Sequence, residues 1–250
     1  MRLLTYNIHK GIGGRDRRYD LNRVIDVIEA ENPDLICLQE VDCNCRRSRF
    51  HDQCDLLAQH FNAVARLRQT TVRLKVGSYG NSVLSRWPMH SCHQISLRMP
   101  GKKARGAQLA IVETPEGPLH LVHWHLGLAE KERHWQVDHL LNHHLFRQAG
   151  DLPVLVAGDC NDWRNTLWAG PFARHSFTQV TAPISRFRSF PAYFPMGSLD
   201  KAFTRGSVFV KQARVVRTAL AKVASDHLPL VVDFHLSEEQ LAVNGDGAGE

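Results

Sequence analysis

Eight polar residues stand where apolar runs begin or end. Leu3-Leu4-Thr5-Tyr6 stops at Asn7, Leu35-Ile36-Cys37-Leu38-Gln39 at Glu40, and the run over 119–124 at His125. Val154-Leu155-Val156-Ala157-Gly158 stops at Asp159, with Asn161 two positions on; Ser198-Leu199 leads into Asp200, and Ser225-Asp226-His227 opens the last apolar run. Strands that each deliver one polar group to a common edge can build a site on a rigid scaffold. Four carboxylates, two amides and two imidazoles are too polar to gather for stability alone, because buried charge needs partners. A metal ion would satisfy Glu40 and Asp226, and oxygen donors of this kind suit a hard divalent cation.

The elements that must position these groups are legible from periodicity. Strands are expected over 2–8, 34–40, 79–86, 105–113, 118–126, 152–158, 199–204, 208–216 and 228–236. Leu21, Val24, Ile25 and Ile28 have helical spacing within residues 20–31, and Asn32-Pro33 should end that helix. A second helix is expected over 130–148, with Gly150 as its stop. Residues 42–54 are polar and basic and are expected to form a loop. No repeat or linker divides the chain. We expect one α/β domain over residues 1–236 and a disordered acidic tail over 237–250.

Composition narrows the class. Hydrophobic residues make up 43% and charged residues 22% of the 250, as in an ordinary globular protein. No run reaches the roughly 18–20 apolar residues of a membrane span, and the first residues lack the apolar region of a signal peptide. A monomer in the cytoplasm with no transmembrane segment is the expectation. Net charge is +6, with Glu238, Glu239, Asp246 and Glu250 all in the tail, so the body carries +10 (6 plus 4). Arg15-Arg17-Arg18, Arg46-Arg47-Arg49, Arg66-Arg68 and Lys102-Lys103-Arg105 suit a polyanionic partner.

Seven strings, in order, resemble the endonuclease/exonuclease/phosphatase family. They are Thr5-Tyr6-Asn7-Ile8-His9, Leu38-Gln39-Glu40-Val41, Gly80-Asn81-Ser82-Val83-Leu84-Ser85-Arg86, His125-Leu126-Gly127-Leu128, Gly158-Asp159-Cys160-Asn161-Asp162, Leu199-Asp200 and Ser225-Asp226-His227-Leu228-Pro229-Leu230. The resemblance implies a four-layer α/β sandwich, two mainly antiparallel sheets flanked by helices. It implies a phosphodiesterase or nuclease using Mg²⁺ or Mn²⁺ at Glu40, with Asn7 and Asp226 close by. Asp159, helped by Asn161, would activate water; His227, held by Asp200, would contact phosphoryl oxygens; and His125 would stabilise the phosphate or serve the leaving group. Which of Asp159 and His227 is the base stays open. On a strand His9 would share a face with Asn7 and so look into the cleft, and Asn81 and Arg105 would also face the substrate: a nucleic acid, a phospholipid headgroup or a small phosphodiester. Cys160 stands where members often have an aromatic and should point into the core. Ser198 precedes Leu199-Asp200 where many members carry Arg, and Lys201 follows where many carry an aromatic.

Plainer readings compete. His123 shares a strand face with His125, and the Leu126-Gly127-Leu128 that follows favours His125. His134, His139, His143 and His144 read as a solvated helix face. Cys43, Cys45, His51 and Cys54 could hold zinc, but their spacing does not match the usual pairs, and free thiols are expected. Gly11-Ile12-Gly13-Gly14 lacks the third glycine of a dinucleotide fingerprint, and no G-x-x-x-x-G-K-[ST] or G-x-S-x-G string occurs. A catalytically silent phosphate- or nucleic-acid-binding protein would be expected to have lost one of the eight residues, and none is lost.

Overall fold

Runs that are apolar at every position need burial on both faces, and the chain provides it with two stacked six-stranded sheets. The computed structural model describes residues 1–236; the tail expected over 237–250 lies outside them. The strands are β1 (Arg2–Asn7), β2 (Leu35–Cys43), β3 (Ala65–Arg73), β4 (Ser78–Ser85), β5 (Met89–Ser96), β6 (Gly106–Thr114), β7 (Gly117–His125), β8 (Val154–Asp159), β9 (Thr178–Gln179), β10 (Asp200–Arg205), β11 (Phe209–Val215) and β12 (Leu230–His235). The helices are α1 (Leu21–Glu31), α2 (Gln53–His60), α3 (Glu130–Leu141), α4 (His144–Arg147) and α5 (Ala221–Ala224).

One sheet runs β11-β12-β1-β2-β4-β3 and the other β5-β6-β7-β8-β10-β9. Each has one parallel pair, β1 with β2 and β7 with β8; the other pairings are antiparallel. Alternation sorts the side chains of β7. Leu119 and Leu121 enter the core between the sheets, while Val122 and Trp124 pack outward with Val137, Leu140 and Leu141 of α3. On the other side Leu21, Val24, Val27 and Ile28 of α1 cover the first sheet. The result is the expected α/β sandwich of two sheets flanked by helices.

Three differences from the sequence reading have physical causes. β2 does not stop at Glu40 but continues to Cys43 through a register shift against β4 between Leu38 and Val41. Glu40 sits in that bulge with φ 57°, and a bulge re-aims a side chain without ending the strand. The long second helix is split. His143 has extended backbone and its Nδ1 accepts from the Leu145 N–H at 3.2 Å, capping α4 anew. The loop expected over 42–54 is shorter at both ends, because β2 runs to Cys43 and α2 begins at Gln53, where the Asp52 side chain caps it by accepting from the Asp55 N–H.

Candidate active site

Topology alone brings the polar strand ends to one edge. β7 and β8 are parallel and in register at His125 and Asp159. β10 runs antiparallel to β8, so its first residue, Asp200, lies opposite Asp159. In the other sheet Asn7 pairs with Gln39, next to Glu40. The loop before β12 is tied to the end of β1 by the Ser225 hydroxyl, which donates to the Asn7 carbonyl at 2.7 Å. Gly14 makes this approach possible: a Cβ there would fall 2.6 Å from the Asp226 Cα.

Asp159 is the centre. Its Oδ2 accepts from Asn7 Nδ2 at 3.1 Å and lies 3.4 Å from His125 Nε2 and 3.7 Å from His227 Nε2. Its Oδ1 accepts from the Asn161 backbone N–H at 2.9 Å, with Asn161 held in the left-handed region at φ 50°. Asn161 Nδ2 donates to Leu126 O at 3.0 Å. His227 Nδ1 meets Asp200 Oδ2 at 2.9 Å, and that oxygen also accepts from Ser189 Oγ at 2.5 Å. Phe190 closes over the imidazole, with ring centroids 4.8 Å apart.

The electrostatics separate the titratable groups. Burial opposes a charge on His227, but Asp200 and Asp159 outweigh it and raise its pKa to about 10. Burial pushes Asp159 up to about 6, against the pull of the His227 cation and with Asp200 adding to the rise. His125 goes the other way: burial, then the charges of Arg105 and His227, push it well below the ordinary imidazole value. Asp159, Asp200 and His227 offer ligand atoms within 4.8 Å of one another. Geometry alone would admit a metal there. The charge does not call for one, because the His227 imidazolium already faces both carboxylates.

Glu40 and Asp226 lie on the first sheet's side. The Lys10 ammonium contacts Glu40 Oε2 directly. Burial works against the Glu40 anion, yet Lys10 holds its pKa below the usual carboxylate range. His9 is not on a strand, because β1 ends at Asn7 and His9 begins a tight turn at φ 46°. The turn, not strand alternation, brings its Nε2 to 3.8 Å from Asp226 Oδ2. Asn81 Nδ2 donates to Gly106 O at 3.0 Å and lies 3.3 Å from Gln69 Oε1, so its amide N–H groups join the two sheets. Arg105 precedes Gly106, which pairs with His125; its buried Nε has no partner among the described residues.

His123 shares the inner face of β7 with His125 but lies deeper. Its Nδ1 is 3.0 Å from Ala157 O and its Nε2 3.0 Å from Leu38 O, which places it between the sheets rather than at the edge. Ser189, Phe190 and Lys10 are the neighbours that sequence reasoning missed. Ser189-Phe190-Pro191 carries no motif, and Lys10 could have been noticed only as a cation placed just after the Asn7 strand end.

The model of the Endonuclease/Exonuclease/phosphatase family matches residues 4–227. The chain belongs to this family. It is 30% identical over 253 residues to the uncharacterized protein YbhP of Escherichia coli (strain K12), covering 94% of this chain and 96% of YbhP. Among solved structures it is similar to the endonuclease/exonuclease/phosphatase from Beutenbergia cavernae DSM 12333, with TM-score 0.76, 23% identity and coverage of 95% of this chain and 72% of that one. It is also similar to the Bacteroides thetaiotaomicron VPI-5482 mannosyl-6-phosphatase Bt3783, with TM-score 0.69, 15% identity and coverage of 94% and 99%. At these identities the structural likeness is one of fold.

Within the family frame the two departures resolve differently. Cys160 is wholly buried in the core outside the second sheet. Lys201 is fully buried as well, donating from Nζ to Ser198 O at 2.7 Å, and burial lowers its pKa. The thiols Cys43, Cys45 and Cys54 do not converge with His51. Cys43 meets Asp52, Cys45 meets Ser78 O, Cys54 meets Ser82, and His51 meets the Tyr19 hydroxyl. Among the described residues they form no metal-like cluster.

Proposed function

We propose that this chain is a divalent-metal-dependent hydrolase of phosphate esters, acting on phosphodiesters in a nucleic acid, a lipid headgroup or a small molecule. The observation that carries the reading is Asp159, a buried carboxylate set between two imidazoles and an amide with its pKa raised to about 6. A base poised near neutrality is what general-base catalysis needs. His227, protonated up to about pH 10, is the wrong partner to accept a proton and the right one to donate hydrogen bonds to phosphoryl oxygens.

The donor set fits a hard cation. Glu40 is a mostly buried carboxylate that draws a positive charge to itself, here Lys10, and His9 links the other two oxygen donors, its backbone N–H donating to Asn7 Oδ1 at 3.1 Å and its Nε2 lying 3.8 Å from Asp226 Oδ2. When bound there, Mg²⁺ or Mn²⁺ supplies Lewis-acid stabilisation of developing negative charge. The chain's own residues do the rest. Asp159 takes a proton from water as the water oxygen forms a bond to phosphorus. Asn7 and the Asn161 N–H hold that carboxylate in place. His227, fixed by Asp200 and Ser189, donates to a non-bridging oxygen. His125, kept neutral, offers an N–H and not a full proton. Arg105 offsets the phosphate charge, and the leaving oxygen departs with the electrons of the broken P–O bond.

Two measurements test the reading. Purified protein should turn over an activated aryl phosphodiester with added Mg²⁺ or Mn²⁺; no turnover with either metal between pH 6 and 9 removes that substrate class. Glu40→Gln should raise the metal concentration for half-maximal activity by about tenfold or more, in the range seen when a site loses one supporting group. A titration that overlays the parent's would take Glu40 out of the metal site.

A further inference from the structure

The Lys10–Glu40 contact is built from both sides. His9, Lys10 and Gly11 are three successive residues in the left-handed region, at φ 46°, 64° and 70°. Glu40 is left-handed too, at φ 57° in the β2 bulge. Non-glycine residues adopt this conformation at a cost and keep it only where surrounding structure holds it. Here Gln53 holds it. Its side chain is fully buried; Nε2 donates to Lys10 O at 2.7 Å, and Oε1 accepts from the Asp42 N–H at 2.7 Å. One glutamine thus clamps the Lys10 turn to the strand that carries Glu40. Two strained backbones are aimed at each other.

Around the same spot other cations gather on one ring. Lys10 Nζ, Arg47 Cζ and Lys103 Nζ lie 5.9, 5.1 and 5.4 Å from the Tyr79 centroid. Arg47 is spent on Asp42, with bonds of 2.9 and 2.7 Å. Lys103 has no carboxylate partner among the described residues, and neither does the buried Arg105. The charges of Lys10 and Lys103 both act on Glu40 and on His125, and both ammonium groups lie beside the Tyr79 ring, at 5.9 and 5.4 Å from its centroid.

We propose that Lys10 is a resident counter-ion of Glu40 that a divalent cation displaces, and that the displaced ammonium, with Lys103 and Arg105, then forms a binding site for a phosphate group. Without metal, Glu40 occupies Lys10 and the anion site is a charge short. With metal on Glu40, the ammonium is released beside Lys103 and Arg105, which have no carboxylate partner among the described residues. Metal is admitted in competition with Lys10, and phosphate is received because Lys10 has been freed. This inference rests on the reading of Glu40 as a metal ligand.

The experiment measures binding, not turnover. Mn²⁺ binding is followed by calorimetry in the parent, Lys10→Met, Lys10→Arg and Glu40→Gln, and inorganic phosphate binding is followed at saturating Mn²⁺. Lys10→Met should bind Mn²⁺ more tightly by roughly 5- to 150-fold, the usual span for linked sites, and should bind phosphate more weakly by about tenfold. Lys10→Arg should keep the parent's phosphate affinity, which also controls for folding of the turn. Unchanged or weaker Mn²⁺ binding in Lys10→Met, or unchanged phosphate binding, overturns the exchange. If Glu40→Gln leaves Mn²⁺ binding intact, the metal reading itself has failed; if it weakens Mn²⁺ binding while Lys10→Met changes nothing, only the exchange has failed.

Discussion

Asp159→Asn should lower kcat on an aryl phosphodiester by roughly 10²–10⁴-fold, the contribution expected of a positioned general base. The fold should survive. The substituted side chain keeps the same shape and an oxygen for the Asn161 N–H, which Asp159 accepts at 2.9 Å. The cost is a donor–donor encounter with Asn7 Nδ2, now 3.1 Å away, worth about 1–3 kcal/mol, and a second with the protonated His227 Nε2, now 3.7 Å away. Partly offsetting this, the variant no longer carries a buried carboxylate whose pKa is raised to about 6. Such a group weakens the folded state as pH rises through its ordinary value towards 6, so the variant's disadvantage in melting temperature should be smaller at pH 8 than at pH 4. A variant with full kcat would remove Asp159 from the mechanism.

Asp200→Asn should be nearly as damaging, with a different pH signature. In the parent, activity should rise near pH 6 as Asp159 ionises and fall near pH 10 as His227 loses its proton. Asp200 is the largest of the groups raising the His227 pKa. Without it the falling limb should move towards neutrality, and kcat on the plateau should fall by on the order of 10²–10⁴, as when an imidazole loses its orienting carboxylate. Stability follows the same sign. A histidine whose folded pKa is raised contributes stability that is fully present below its ordinary value near 6.5 and is lost as pH rises through about 10. The variant should therefore be less stable than the parent at pH 6, by about 3–5 kcal/mol for a broken buried pair, and the gap should close above pH 10. A falling limb that stays near 10 in the variant would show that Asp200 does not govern His227.

What the sequence concealed has a common cause. β3 and β5 went unseen, and both are edge strands. Edges are kept polar to avoid pairing with other chains, and Ala65–Arg73 carries Arg66, Arg68 and Arg73 where a central strand would carry valine or leucine. Helix α2 offers only Cys54, Leu57 and Ala58 to the core in two turns, too few to show a period. The central strands were visible because burial on both faces makes them continuous apolar runs. The same logic applies to the strand-end residues. Asn7, Asp159, His125 and Asp200 are each fixed by a strand end, which sequence can mark. Lys10, Ser189 and Phe190 reach their neighbours through turns and long loops, and no local pattern announces that. The bulge at Glu40 belongs to the same class: its geometry depends on a partner strand some forty positions away.

β1 lies in the middle of its sheet, with β2 on one side and β12 on the other. The Ser225–Asn7 hydrogen bond spans 218 positions. A chain emerging from the ribosome at roughly 5–20 residues per second therefore carries Asn7 and Glu40 for roughly 10–40 s before Asp226 and His227 exist. During that interval β1 has an open flank and the nascent chain lacks Asp226 and His227. The two halves of the strand-end cluster are therefore brought together only when the closing strand docks, so any activity that needs both belongs to the finished chain.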